Sequence, residues 1–323
     1  MHKVSWFAKF AAALAAASAL ACAPVSAGEA PAVRLVTPYP AGGPADVISR
    51  VISPALAEEL GSPVVVDNKS GASGTIGAAD VARSAPDGAT LLFNTSIQVV
   101  LPHLMTLPYD SATAFTPLAQ VNDIPFVLVV NKDLPFKTVA ELVGYAKANP
   151  GKLNFATNSA GGASHLAAEQ FARIAGIDIV HIPYKGSAPA LTDLVGGRVQ
   201  IMFEQGPSVL PFLKSDRLRA LAVTSARRTA ITPDVPTFGE EGYPQFVYSN
   251  WQGIWGPAGM SGETRQRLSD ALARTLARAD VRKQLADLGT EPSGLTGAEF
   301  EAFVKQQYDY AGEIIRSADI KLN

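Results

Sequence analysis

The sequence predicts an α/β fold made of two strand-and-helix layers. Three observations carry that prediction. Short runs rich in Val, Ile and Leu alternate with segments whose apolar residues recur at helical spacing, and glycine and proline separate the two kinds of segment. After Trp251–Pro257 the alternation gives way to helices with charged faces. Alternation of this kind is what parallel sheets with crossover helices require.

In the first layer Val33–Val36 reads as a strand and 44–60 as a helix, with Val47, Ile48, Val51, Ile52, Ala55 and Leu56 on its apolar side and Gly61 as its stop. Residues 64–67 read as the next strand, 74–84 as a helix and 90–94 as a third strand. The second layer opens at Phe126–Val130. Thr138 and Glu141 form a capping box for a helix that ends at Asn149-Pro150-Gly151. A strand at 153–157, a helix at 163–175, a strand at 178–182, a helix at 188–195 and strands at 198–203 and 218–223 complete it. The closing helices, at 264–278, 281–288 and 298–316, are expected to return to the first layer. No Gly/Ser linker separates the layers, so the expected crossings are ordered segments near Ile124–Val127 and Tyr248–Ile254. This divides the chain into one lobe of residues 28–125 plus 252–323 and a second of residues 126–251.

Residues 1–27 have a different character. Lys3 and Lys9 precede a short apolar run from Phe10 to Ala21, and Val25-Ser26-Ala27 offers small residues where a signal peptidase cuts. The run is too short and alanine-rich for a bilayer span, so it reads as a cleaved secretory leader. The lone cysteine, Cys22, lies inside it. A lipid anchor at Cys22 is disfavoured because Ala19 stands where a bulky aliphatic residue is expected. Beyond the leader the chain has no thiol, hence no disulfide, thiolate metal site or cysteine nucleophile. The formal charge is −2, and loss of Lys3 and Lys9 makes it more negative. That balance argues against a nucleic-acid partner or a membrane-surface protein.

Past the leader the histidines are His103, His165 and His181, and no pair has a metal-ligand spacing. There is no G-x-S-x-G elbow, phosphate-binding P-loop or H-E-x-x-H. Gly71, Gly74 and Gly77 have the wrong spacing for a dinucleotide loop. No catalytic residue, metal or cofactor is expected.

Two loops share one design, one in each layer. Thr37-Pro38-Tyr39-Pro40-Ala41-Gly42-Gly43-Pro44 and Thr157-Asn158-Ser159-Ala160-Gly161-Gly162-Ala163-Ser164-His165 each follow a strand and open a helix. The first N–H groups of a helix lack intrahelical partners and its dipole is positive there, so a small anion can be held without a cationic side chain. The candidate ligand residues are therefore Tyr39, Ala41, Gly42 and Gly43 from the first loop. The second loop supplies Thr157, Asn158, Ser159, Ala160, Gly161, Gly162, Ser164 and His165. Asn94, Thr95 and Ser96 follow a strand of the first layer, and Glu204 follows one of the second, so these residues join the list. Glu204 is the odd member, since an acid repels an anion unless it meets an amine, a hydroxyl or a proton. Asp46 is expected to stabilise its own helix start. Tyr39, Trp251 and Trp255 are the aromatic candidates for an apolar wall.

Several stretches in order carry a family resemblance. They are Pro38 to Asp46, Asn68-Lys69-Ser70-Gly71-Ala72, Pro86-Asp87-Gly88, Ser164-His165-Leu166-Ala167, His181 to Gly186, Asp193 to Gly197, Pro233 to Thr237 and Gly256-Pro257-Ala258-Gly259. From about Val33 onward the chain resembles the Bug-type (TctC-like) extracytoplasmic solute receptors of tripartite tricarboxylate transporters. The resemblance implies a two-lobed periplasmic-binding-protein-like (Venus flytrap) fold with a ligand cleft between lobes. It also implies a non-enzymatic monomer in the periplasm that binds a small organic carboxylate and delivers it to the membrane subunits of the transporter. The first loop has Tyr39 where the family usually has a phenylalanine-like residue, and Glu204 stands where aspartate is common. Presentation of the ligand to a sensor kinase and an enzyme on the same scaffold remain as alternatives, and the identity of the carboxylate is left open.

Overall fold

The computed structural model describes residues 31–318 and 320, so the leader, Cys22 included, lies outside the described residues. One long strand carries the chain between the two sheets. Strand β4 (Phe115–Asn131) pairs antiparallel with β9 (Ser249–Pro257) as far as Pro125, then from Phe126 onward with β7 (Ile201–Gln205) and β8 (Leu218–Val223). The sequence suggested only its second half, because Pro117 and Pro125 interrupt the pattern. The strand absorbs the first of these prolines at a register shift between Pro117 and Ala119, and a second shift lies between Gln120 and Asn122.

The first sheet runs β2 (Val64–Asn68), β1 (Val33–Thr37), β3 (Thr90–Thr95), β9, β4, with β1, β2 and β3 parallel. The second runs β4, β7, β5 (Asn154–Thr157), β6 (Val180–Pro183), with β8 beside β4. A two-residue strand, β10 (Glu291–Pro292), pairs with β4 at Asn122 and Asp123.

Side chains alternate along the strands and so build a core on each face of both sheets. In the first lobe Leu35, Leu91 and Ile254 pack under α1 (Pro44–Leu60), α8 (Gly262–Ala277) and α9 (Ala279–Asp287). Their neighbours Val36, Leu92, Trp251 and Trp255 face the other way, into a cluster with Phe300 and Ile314 of α10 (Gly297–Ser317). Trp251 and Trp255 are each 1% exposed and belong to this core, so they form no ligand wall. In the second lobe Phe126, Phe155, Phe171 and Phe203 share one core with α4 (Val139–Ala148) and α5 (Ala163–Ala175), while Val127, Met202 and Leu191 pack with α6 (Ser187–Val195) and α7 (Gly206–Lys214).

Local chemistry sets the ends of these elements. Thr138 Oγ1 accepts the Glu141 N–H at 3.2 Å while Glu141 Oε2 accepts the Lys137 N–H at 2.6 Å, which closes the start of α4. Gly61 and Gly176 take φ of 64° and 62° and end α1 and α5. The helix at 206–214 and a single turn, α3 (Ile97–Val100), escaped the sequence reading; α2 (Thr75–Ala82) completes the helices named here.

Gly253 on β9 is closely approached. A Cβ there would sit 2.5 Å from Phe300 Cζ and 3.1 Å from the Ala119 carbonyl oxygen. Gly253→Ala is therefore expected to lose about 1–3 kcal/mol by overpacking. Urea unfolding measures this, and an unchanged midpoint would show that α10 yields freely.

Candidate ligand-binding site

Both glycine loops leave the carboxyl end of a parallel strand and open a helix, where α/β sheets take their ligands. Their electrostatics differ. At the second loop Gly161 turns at φ 69°, Gly162 is the N-cap of α5, and no side chain caps the helix or places an acid in its first turn. The N–H groups of Ala163, Ser164 and His165 have no hydrogen-bond partner among the described residues. Ser164 Oγ donates to the Phe203 carbonyl at 2.6 Å, fixing the helix start against β7.

Gly162, Ala163 and Ser164 form one side of a cavity of about 210 Å³. Tyr39, Thr95, Ser96, Ile97 and Val100 come to it from the first lobe, and Asn158, Ser159 and Gln205 from the second. Phe126 and Asn250 enter from the crossing strand segments. Its lining contains no Lys, Arg, His, Asp or Glu. The exposed start of α5 gives the cavity an electrostatic sign that favours an anion, and Gln205, the N-cap of the uncapped α7, also lines it.

Tyr39 is set by a network. Its hydroxyl donates to Asn94 Oδ1 at 2.8 Å and lies 2.9 Å from Thr95 Oγ1. Burial pushes the phenol up to about 12, so it stays protonated. Behind it the Asn94 amide donates to Gln98 Oε1 at 2.7 Å. Asn94 thus positions Tyr39 from outside the cavity. Ser96 Oγ donates to Asn250 Oδ1 at 2.9 Å, tying the end of β3 to β9.

At the first loop an acid stands in the first turn of the helix. Asp46 Oδ2 accepts the Gly42 N–H at 2.8 Å, and the carboxylate also accepts from Arg50 Nε at 3.0 Å and Asn68 Nδ2 at 3.0 Å. Arg50 first, then the Gly42 amide and Asn68, hold the Asp46 carboxyl down to about 2. Pro44 brings no N–H, and the Gly43 N–H turns back to the Pro40 carbonyl at 3.3 Å. Ala41, Gly42 and Gly43 do not line the cavity. The two helix starts are not equivalent: the N–H groups of Ala45 and Asp46 are as free of partners among the described residues as those of α5, but α1 carries an acid in its first turn and its loop reaches the cavity only through Tyr39.

Four further candidates lie behind the second loop. Thr157 is fully buried and its Oγ1 lies 2.6 Å from His181 Nε2. The Gly161 N–H donates to His165 Nδ1 at 3.0 Å, and the His165 ring stacks on His181 with centroids 3.7 Å apart. These residues brace the loop, whereas Ala160 is exposed away from the cavity. Glu204 is 1% exposed; its Oε1 accepts the Gln205 N–H at 2.8 Å and its Oε2 has no partner among the described residues. Burial raises its pKa against the opposing pull of Ser187, the Gln205 amide and Asn158. Glu204 thus lies behind Gln205 and Asn158 rather than in the cavity.

Burial and then the neighbouring His165 push His181 down to about 4 from the usual 6.5. The unfolded chain therefore takes up this proton first, so the His181 contribution to stability is full above pH 6.5 and is lost as pH falls toward 4. His181→Gln is expected to flatten that part of the pH dependence. Urea midpoints at about pH 7 and about pH 5 test it, and an identical decline in both proteins would clear His181 of the effect.

The residues of this cavity that the sequence reading did not select are Ile97, Val100, Phe126, Ala163 and Asn250. Ile97 and Val100 carry a readable signal, an apolar pair spaced by a helical turn directly after Asn94-Thr95-Ser96. Of the four larger cavities among the described residues, the two biggest fit an anion less well. One of about 630 Å³ has three arginines, but Arg228 is paired with Glu240 and the acids Asp123 and Glu291 share the space. One of about 600 Å³ is walled by Phe115, Trp255 and Val304, and Glu301 shares it with Lys305.

Two α/β lobes sharing long strands, with a small polar-and-apolar cavity at the strand ends, define the two-lobed class of solute-binding proteins. The family described as tripartite tricarboxylate transporter family receptor (TctC) matches residues 48–320. Protein BugT of Bordetella pertussis is 38% identical over 311 residues, covering 95% of each chain. Among solved structures, Rpa4515 of Rhodopseudomonas palustris with adipate is 34% identical, with 90% of this chain and 97% of that one covered and a TM-score of 0.74. MatC (Rpa3494) of the same organism, with bound malate, is 30% identical, with coverage of 88% and 98% and a TM-score of 0.67. The chain belongs to the tripartite tricarboxylate transporter receptor family.

Proposed function

We propose that this protein is a periplasmic receptor that captures a small carboxylate between its lobes and delivers it to the membrane subunits of a tripartite tricarboxylate-type transporter. One observation carries the proposal: the uncapped start of α5 opens into a cavity with no charged side chain. A partly buried helix end contributes up to about 2 kcal/mol to holding an anion. The adipate and malate held by the two relatives support the same class of ligand. Tyr39 is the one ordinarily titratable side chain in the lining, and its raised pKa removes it as a base near neutrality. The proposed role is binding without chemistry.

In this reading residues 28–125 plus 252–323 move as one lobe and 126–251 as the other. Tyr39, Thr95 and Ser96 close over a ligand seated on Asn158, Ser159, Gly162 and Ser164. Closure then selects the liganded state, because the two sets of contacts form together only when the lobes meet. Among the described residues no helix is long and apolar enough to cross a membrane, so the transporter supplies the span.

Thermal unfolding with a panel of small organic acids and their neutral amides tests the proposal. An acid at about 100 times its Kd is expected to add about 2.7 kcal/mol of stability, and its amide almost none. Stabilisation by amides as strong as by acids, or by no acid at all, would overturn it.

A further inference from the structure

We propose, building on the two-lobed receptor function above, that the lobes turn on a fulcrum where Ile231 and Pro207 of the second lobe meet the bare Cα of Gly289 in the first. This contact sets the resting angle between the lobes.

Gly289 is fixed to the first lobe. It follows α9, and with φ at 77° it closes that helix. Its N–H donates to the Ala286 carbonyl at 2.9 Å, and the Thr290 N–H and Oγ1 both donate to the Leu285 carbonyl, at 3.2 and 2.9 Å. Leu285 is fully buried in the core under α9. Ile231 is anchored in the second lobe. Thr229 Oγ1 lies 2.9 Å from Thr232 Oγ1 and accepts the Thr232 N–H at 3.3 Å, which pins the turn carrying Ile231.

Between these fixed points there is no slack. A Cβ at Gly289 would stand 2.2 Å from Ile231 Cδ1 and 2.7 Å from Pro207 Cγ, and a Cβ at Gly206 would stand 2.9 Å from Ile231 Cγ2. Ile231 is thus held between two glycines, one from each lobe, and a methyl added to either overpacks the contact. Gly206 and Pro207 are the first residues of α7, and its N-cap, Gln205, lines the ligand cavity. Pressure at Gly289 therefore bears directly on an element that borders the ligand. Beside the contact a cavity of about 630 Å³ opens between the lobes, and Phe126 and Val127 of β4 line it just where that strand changes sheets. A tight contact next to open space, at the strand crossing, lets a small displacement turn one packed lobe against the other.

Pulsed electron paramagnetic resonance on the ligand-free protein reads the angle. Spin labels go on Ala85→Cys in the first lobe and Ala148→Cys in the second, both exposed, with Cys22→Ser removing the chain's one cysteine. Gly289→Ala packs a methyl into the contact, and Ile231→Ala strips its other side. The two variants are expected to shift the mean distance in opposite senses, each by at least about 2 Å. In the double variant the added methyl meets the vacated space, and the distance is expected to return toward the parent value. Thermal midpoints report folding. Should Gly289→Ala fail to fold, being strained at its positive φ, the shift in Ile231→Ala decides alone. An unchanged distance in a folded variant, shifts in the same sense, or shifts that add in the double variant overturn the inference. The receptor function survives that result, because the acid panel decides it separately.

Discussion

Ala163→Asp is expected to weaken carboxylate binding by about 100-fold or more while leaving the fold as stable as before or slightly more so. Ala163 is the first residue of α5, after an N-cap glycine that has no side chain to offer, and it faces the cavity. A carboxylate placed there would meet the bare N–H groups and the positive end of the helix dipole. Helix stability then gains about 0.3–1 kcal/mol. The ligand loses its partner and meets like charge. Ala163→Asn adds nearly the same bulk without the charge and is expected to lose far less affinity. Titration calorimetry together with urea unfolding separates the two effects, and an Asp variant that retains affinity would place the ligand elsewhere.

Phe171→Ala is expected to cost about 3–5 kcal/mol of stability. Phe171 lies on α5, has no exposed surface, and its ring meets Phe238 at 5.0 Å, Phe246 and Tyr243 at 5.6 Å and Phe203 at 5.9 Å. Truncation leaves a cavity that this many rigid rings cannot collapse to fill. Well below the unfolding transition, affinity should change little, because the helix start is held separately by Ser164 on the Phe203 carbonyl. A loss below about 1 kcal/mol would show that the aromatic cluster repacks. Tyr145→Ala, at a residue 38% exposed, is the matching control and should stay within about 0.5 kcal/mol.

What the sequence disclosed follows from the range of the interactions involved. Strand alternation, helical spacing and glycine stops act over a few residues, so most strands and helices were readable, as was the loop from Thr157 to His165. The first loop misled for a longer-range reason. Its resemblance to the second is real in the backbone, but Asp46 is held over Gly42 by Arg50 one turn on and by Asn68 from the neighbouring strand. The apolar wall was hidden in the same way. Phe126 reaches the cavity because β4 changes partner there, and Asn250 because β9 runs back beside it. Thr157, Gly161 and His165 read as ligand residues from their place in the loop, whereas the stack of His165 on His181 makes them its support.

The claim that the start of α5 holds the ligand is tested most directly by backbone amide NMR during titration with an acid that raises the thermal midpoint. The amides of Ala163, Ser164 and His165 are expected to move downfield on saturation, while those of Gly42, Gly43 and Ala45 stay in place. Large shifts at Gly42 to Ala45 with none at Ala163 to His165 would contradict it.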